Sequence, residues 1–255
     1  MLPLSEKEFC NIENTTFKGG EELVYKVYYN WNFVWLSAGE VKFKVKDLGK
    51  NFLITCTGTT YKSYEWFFKV RDVYTVVVDK KTLLPISSVR NVREGGFTVY
   101  DKMIWNQKDF HIKSLRGRTK EKATWREYDL ENCMHDILSV IYYARNLDFN
   151  QMQAGETFPV EMFMDKEVFR LKSIYHGKEV KKIKGWGTHK VHRVEPKLVV
   201  GDVFKESNMQ TWVSNDKNHI PFQIETPLSV GSAKIILKSY KGLRHKLESK
   251  VEKAK

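Results

Sequence analysis

Apolar and polar residues alternate with a period of two along most of the 255-residue chain. Val41, Phe43 and Val45 fall on one side of an extended backbone and Lys42, Lys44 and Lys46 on the other, as a strand with one face on a core and one in water requires. Comparable runs cover Leu23 to Asn30, Asn51 to Thr60, Val70 to Asp79, Ile86 to Arg93, Phe97 to Asn106, Asp109 to Arg116 and Thr119 to Tyr128. Short polar stretches, among them Gly95-Gly96 and Asn106-Gln107-Lys108, separate these runs at lengths that suit hairpins, so a meander is expected. Strands resume at Thr157 to Met164, Glu167 to Tyr175, Lys178 to Ile183, Gly187 to Pro196, Met209 to Ser214, Pro221 to Thr226 and Ser232 to Tyr240.

The period changes once, at His135 to Asn146, where Ile137, Leu138, Ile141, Tyr142 and Leu147 recur at helical spacing. This helix is expected to lay Ile137, Leu138, Ile141 and Tyr142 against the sheet as a plug or lid. Asp136, in its first turn, reads as a cap for free backbone amides. About fourteen strands exceed the ~10 that an open twisted sheet usually holds. The expected fold class is therefore mostly β: a single curved antiparallel sheet, a barrel or a two-sheet sandwich, with one central helix. Residues 17–242 read as one domain, 1–16 as an N-terminal extension, and the lysine-rich 243–255 as a frayed tail. The lack of a fixed sequence period argues against solenoids and propellers.

With 42% hydrophobic and 13% aromatic residues the chain can bury a sizeable core, which excludes a disordered class. Lys and Arg number 43 against 31 acidic residues, a net charge of +12 that brings anionic partners into view. Much of that charge sits at alternating strand positions, the ordinary pattern of a solvated sheet face. No apolar stretch is long enough for a membrane-spanning helix. Met1 to Glu6 lacks the charged and apolar regions of a secretory signal, which leaves either a cytosolic protein or a trimmed one. A nucleic-acid partner is not expected, because the aromatics are not interleaved with basic residues and the helix has no basic face.

Candidate chemistry is sparse. His189 and His192, three apart on a strand, point to opposite faces and cannot easily share a metal ion. There is no Gly-x-Ser-x-Gly elbow, and Gly185-Trp186-Gly187 lacks the remainder of a phosphate-cradling loop, so no catalytic, metal or cofactor-binding residue is assigned. In Lys69-Val70-Arg71-Asp72, Asp72 or Asp79 is expected to pair with Arg71 or Arg90 across strands. Aromatics crowd Trp31 to Leu36 and Tyr64 to Val70 on both strand faces, which marks Trp35, Trp66 and Phe67 as expected borders of a cavity for a lipid or anionic amphiphile.

Several motifs recur in order: Phe17-Lys18-Gly19-Gly20-Glu21-Glu22-Leu23 with Ala38-Gly39-Glu40; Lys69-Val70-Arg71-Asp72; His135-Asp136-Ile137-Leu138-Ser139 continuing to Tyr142-Tyr143-Ala144-Arg145; and Trp212-Val213-Ser214-Asn215-Asp216 with Ile220-Pro221 and Val230-Gly231-Ser232. Together, over residues 17–240, they resemble the bacterial family of unknown function DUF3108. That resemblance implies an exported protein of the Gram-negative envelope, periplasmic and made with a signal peptide, and brings no activity with it. In an oxidising compartment Cys10 and Cys133, both in polar segments outside strands, are expected to form a disulfide, while Cys56 alternates with Phe52 and Ile54 as a buried thiol. Three free thiols in a cytosolic protein are the alternative. The functional expectation is a non-enzymatic envelope protein that binds an amphipathic ligand, lipid or lipopolysaccharide-like, or a protein partner, with peripheral membrane contact. The alternative is an enzyme acting on envelope polymers through a loop-built site, which would show carboxylates or histidines converging in a concave pocket.

Overall fold

The alternating runs pair as expected, and the sheet they make is longer than any flat sheet could be. In a computed structural model that describes residue 10 and residues 12–31, 34–200, 203–205, 209–228 and 231–251, fifteen strands form one antiparallel sheet. They are β1 (Glu22–Trp31), β2 (Val34–Asp47), β3 (Asn51–Thr60), β4 (Arg71–Asp79), β5 (Pro85–Glu94), β6 (Phe97–Asn106), β7 (His111–Gly117), β8 (Thr124–Asp129), β9 (Thr157–Met164), β10 (Glu167–Ile183), β11 (Gly187–Val200), β12 (Val203–Lys205), β13 (Gln210–Ser214), β14 (Pro221–Pro227) and β15 (Ser232–Lys241); the helix α1 is Ile137–Ala144. The spatial order is β8-β7-β6-β5-β4-β3-β2-β1-β15-β14-β13-β11-β10-β9, with β12 on β11. Because β1 to β8 form a meander, the β1–β2, β3–β4, β5–β6 and β7–β8 connections lie at one end, the tip, and the intervening connections at the other, the base.

Two runs expected as separate strands, Glu167 to Tyr175 and Lys178 to Ile183, join as the 17-residue β10. The join is a bulge between Tyr175 and Gly177, and Gly177, at φ +95, supplies the left-handed backbone that it needs.

The first and last strands in the order, β8 and β9, do not pair with each other. Side chains close the gap instead. Phe163 of β9 and Val168 of β10 pack with Met103, Trp105 and Ile112 of β6 and β7, and Asp165, in the β9–β10 turn, meets Arg90 at 2.6 Å and Arg116 at 2.5 Å. Asp101 completes this network at 3.4 Å from Arg90 and 2.7 Å from Arg116. The pairing expected for Arg71 and Asp72 is corrected accordingly. Arg71 pairs with Glu65 in the β3–β4 loop, and Asp72 accepts the Arg93 backbone N–H at 2.8 Å.

Helix α1 starts on Asp136, whose side chain accepts the Ser139 N–H at 2.7 Å while the Ser139 hydroxyl accepts the Asp136 N–H at 2.9 Å. This reciprocal cap explains why so short a helix begins there. Leu138 and Tyr142 pack with Phe17, Phe52, Ile54 and Val76, whereas Val140 and Tyr143 pack with Phe158, Val160, Tyr175 and Val213. The helix thus lies between two parts of one curved sheet, with each flank in a different core.

Its C-terminal end is a hub. Arg145, fully buried, forms a two-pronged pair with Glu21 at 2.6 and 2.9 Å and donates to the Asn218 carbonyl at 3.0 Å. The next residue, Asn146, accepts the Thr15 N–H at 2.7 Å. The disulfide Cys10–Cys133 ties the same N-terminal segment to the chain ahead of the helix; residues 1–9 and 11 of the expected extension lie outside the described residues.

The tail, expected to fray, is docked through Val251, and 252–255 lie outside the described residues. Lys190 N–H donates to the Ser249 carbonyl at 2.7 Å and Val251 N–H to the Thr188 carbonyl at 2.9 Å. β13 pairs with β11 from Val191 onward, so the tail occupies the stretch of β11 edge that β13 leaves uncovered. Leu243 and Leu247 pack under it.

Two outcomes test this account. Glu21→Ala strands a buried guanidinium and is expected to lower the urea unfolding free energy by about 3–5 kcal/mol, whereas Glu21→Met with Arg145→Met recovers most of that loss. Replacing Cys10 and Cys133 by serine, which opens a link across 123 residues, is expected to cost up to about 4–5 kcal/mol in the same measurement.

Candidate functional site: an apolar cavity beside the helix

Between α1 and the sheet lies a cavity of about 500 Å³, within the usual range of ~300–1,000 Å³ for ligand pockets. The helix contributes Ile137, Ile141 and Ala144, spaced four and three residues apart, so that one stripe faces the space while the flanks face the two cores. Opposite them stand Leu23, Val41, Phe43 and Ile235 on one side and Phe158, Val160, Val194 and Val213 on the other. Ile137 and Ile141 pack against the two cores as expected and remain half-buried, because the rest of their surface is cavity wall.

Polar groups on the wall are few and uncharged overall. Arg145 reaches it but is neutralised by Glu21. Burial raises the Tyr25 and Tyr142 phenols above their ordinary values, so both stay protonated, and the Tyr142 hydroxyl, fully buried, meets no hydrogen-bond partner among the described residues. Ser173, Thr211 and Thr226 are the other polar side chains on the wall. No carboxylate and no histidine lines the cavity among the described residues.

Histidines and carboxylates with altered acidity lie elsewhere. Behind Phe149, His192 Nδ1 meets the Tyr175 hydroxyl at 2.8 Å, and burial, with the nearby His219, lowers its pKa to about 4. His189 instead meets Ser249 Oγ at 3.1 Å and packs on Phe222, so the two histidines serve separate structural contacts. Burial lowers His135 to about 3. Glu94, at the tip end of β5, is raised to about 7, first by burial and then by a hydrogen bond and charge repulsion from Asp72.

Trp35, Trp66 and Phe67 do not border the cavity. Trp35 lies at the start of β2 and Trp66 and Phe67 on the β3–β4 connection, all at the tip, and they are exposed, Trp66 to 84%. The apolar excess in those segments points outward to solvent. Sequence reasoning passed over the true lining, among it Leu23, Val41, Phe43, Phe158, Val160 and Val213, because an aliphatic residue facing a void has the same alternation as one in a filled core. The hydroxyl-bearing Ser173, Thr211 and Thr226 carry the faint signal that was there.

A single curved antiparallel sheet wrapped around a short helix, with an apolar cavity held between them, defines a barrel-like β-protein. The chain belongs to the family described as "Protein of unknown function (DUF3108)", whose model matches residues 24–238. The fold is similar to that of a β-barrel-like protein of the domain of unknown function DUF1849 from Brucella abortus, with a TM-score of 0.63 at 9% identity, covering 89% of this chain and 99% of that one. A candidate lipoprotein from Parabacteroides distasonis matches with a TM-score of 0.34 at 13% identity, over 91% of this chain and 99% of that one. No curated protein matches the sequence.

The wall geometry predicts a contrast within one helix. Leu138→Ala is expected to cost about 2–5 kcal/mol, and Ile141→Ala clearly less in parallel urea titrations, because Ile141 already faces empty space. For Glu94, the unfolded chain releases the proton near its ordinary 4.5 and the folded chain near 7. The folded state therefore binds more protons in that window, and stability should fall as pH rises from about 4.5 to 7 and then level off. Thermal unfolding of Glu94→Gln across this range should show a flatter profile.

Proposed function

We propose that this protein is a non-enzymatic, exported carrier or sensor of an amphipathic molecule, whose acyl portion occupies the cavity beside α1. The observation that carries this reading is the electroneutral apolar wall. An uncharged chain is accommodated there, whereas an ionised head group would have to compete with Glu21 for Arg145 or lie unpaired among aliphatic side chains. The register puts Pro196, Met209 and Thr226 toward the tip, so the head group is read as emerging there.

The Cys10–Cys133 disulfide supports an oxidising compartment, and with it an envelope location. The enzyme reading finds less support. The carboxylates with raised pKa lie outside the cavity wall: Glu94 stands on β5, and Asp136 is taken up in capping α1.

Native mass spectrometry of protein purified from its own envelope is expected to show a bound lipid. Stripped protein is expected to bind a fluorescent fatty-acid probe that phospholipid displaces, and Ala144→Trp, which fills the cavity, should weaken that binding more than about tenfold. Absence of bound lipid, together with unchanged probe binding by a folded Ala144→Trp variant, would overturn the reading.

A further inference from the structure

The tip end carries apolar surface that no described segment covers. Along the sheet from β2 to β6 stand Val34, Trp35 and Leu36, then Trp66, Phe67 and Phe68, then Phe97, with Val34 57%, Trp66 84% and Phe97 58% exposed. Leu36, through its partner Tyr29, and Trp66 to Phe97 adjoin as a strip. Tyr29 of β1 meets the Phe67 ring at 6.1 Å, Trp66 meets Phe67 at 6.0 Å, and the Phe68 ring lies over Gly95, two residues before Phe97. A β3–β4 loop held by the Phe68 N–H to Tyr64 carbonyl bond at 3.2 Å and by the Glu65–Arg71 pair presents Trp66 outward as a fixed feature.

Where the strip ends, a basic hollow begins. Phe97 and Val99 form one wall of a depression of about 290 Å³ whose remaining lining includes Arg116, Arg118, Arg126 and Lys166. Asp101 and Asp165 are engaged by Arg90 and Arg116, two acids against two bases. Arg118, Arg126 and Lys166 form no ion pair among the described residues, and the same β7–β8 turn adds exposed Lys120 and Lys122. Lys166 is held in place by a two-residue turn with φ +52 at Asp165 and +73 at Lys166, the geometry of a tight hairpin.

We infer that this tip edge docks on the surface of an anionic phospholipid bilayer, with the aromatic strip at the boundary of head groups and acyl chains and the basic hollow on lipid phosphates. Tryptophan and phenylalanine favour that boundary, arginine and lysine favour a negative surface, and here the two stand side by side on rigid hairpins. A soluble protein partner would account for the apolar strip but not for three uncompensated cations converging at its end. The surface is separate from the cavity lining, so it stands or falls independently of the carrier reading.

The test is co-sedimentation of the full chain with vesicles of phosphatidylethanolamine and phosphatidylglycerol, compared with phosphatidylcholine vesicles, alongside the tryptophan emission spectrum. Binding to the anionic vesicles is expected, with salt sensitivity and a blue shift that Trp66→Phe diminishes. Arg118→Glu with Arg126→Glu, and separately Trp66→Ser with Phe97→Ser, are each expected to weaken binding more than about tenfold. Ala144→Trp, which fills the cavity, should bind vesicles as the natural protein does. These positions are exposed, and circular dichroism checks that each variant is folded. Failure to bind the anionic vesicles, equal binding to phosphatidylcholine, or undiminished binding by either folded double variant would overturn the inference.

Discussion

The charged pair of Arg145 and Glu21, shut away from water, sets the terms for the rest of the molecule. A guanidinium in that position is tolerable only when its donors are met, so Glu21, just ahead of β1, and the Asn218 carbonyl, between β13 and β14, are pinned to the end of α1. The attachments spread from there. His219 Nδ1 meets the Arg145 carbonyl at 2.7 Å, Asn218 Oδ1 accepts the His245 N–H at 2.9 Å, and Arg244 donates to the Asn14 carbonyl at 2.6 Å. The N-terminal segment, the helix, the β13–β14 turn and the C-terminal tail thus meet around two adjacent residues.

Much of this was legible in the alternation of side chains. Strand after strand falls where the period of two puts it, the change of period at Ile137 marks the helix, and Asp136 caps it as a carboxylate in the first turn should. Cys56 is the buried thiol of β3, and Cys10 meets Cys133. What escaped was whatever depends on backbone edges and empty space. The tail docks through the carbonyl of Ser249 and the N–H of Val251, groups that every residue carries, so its composition gave no sign of it. The cavity escaped because side-chain pattern reports apolarity and not vacancy, and Trp35, Trp66 and Phe67 misled because two-faced apolarity was read as facing inward.

The two ends of the sheet have opposite characters for one reason. Segments from both ends of the described chain and the β13–β14 turn gather near Arg145 and cover the base, whereas no described segment covers the hairpin connections of the tip in this way. Those connections carry Trp66, Phe97 and the basic β7–β8 turn, and the row of Thr226, Ala233, Tyr29 and Leu36 links the upper cavity wall to the aromatic strip through paired strands. An amphiphile leaving the cavity on that side would emerge next to apolar surface rather than into bulk water.

The side-chain seam between the sheet's two ends has a geometric corollary. In a closed barrel, strand number and shear together fix the radius, because every strand must register with both neighbours. Here β8 and β9 owe each other no such register, and the join is made by Phe163, Val168 and the carboxylate of Asp165 held by two arginines. The wall is therefore a coil rather than a ring. Its girth is free of the integer steps that shear imposes and can follow the bulk of whatever it encloses while all its ladders stay intact.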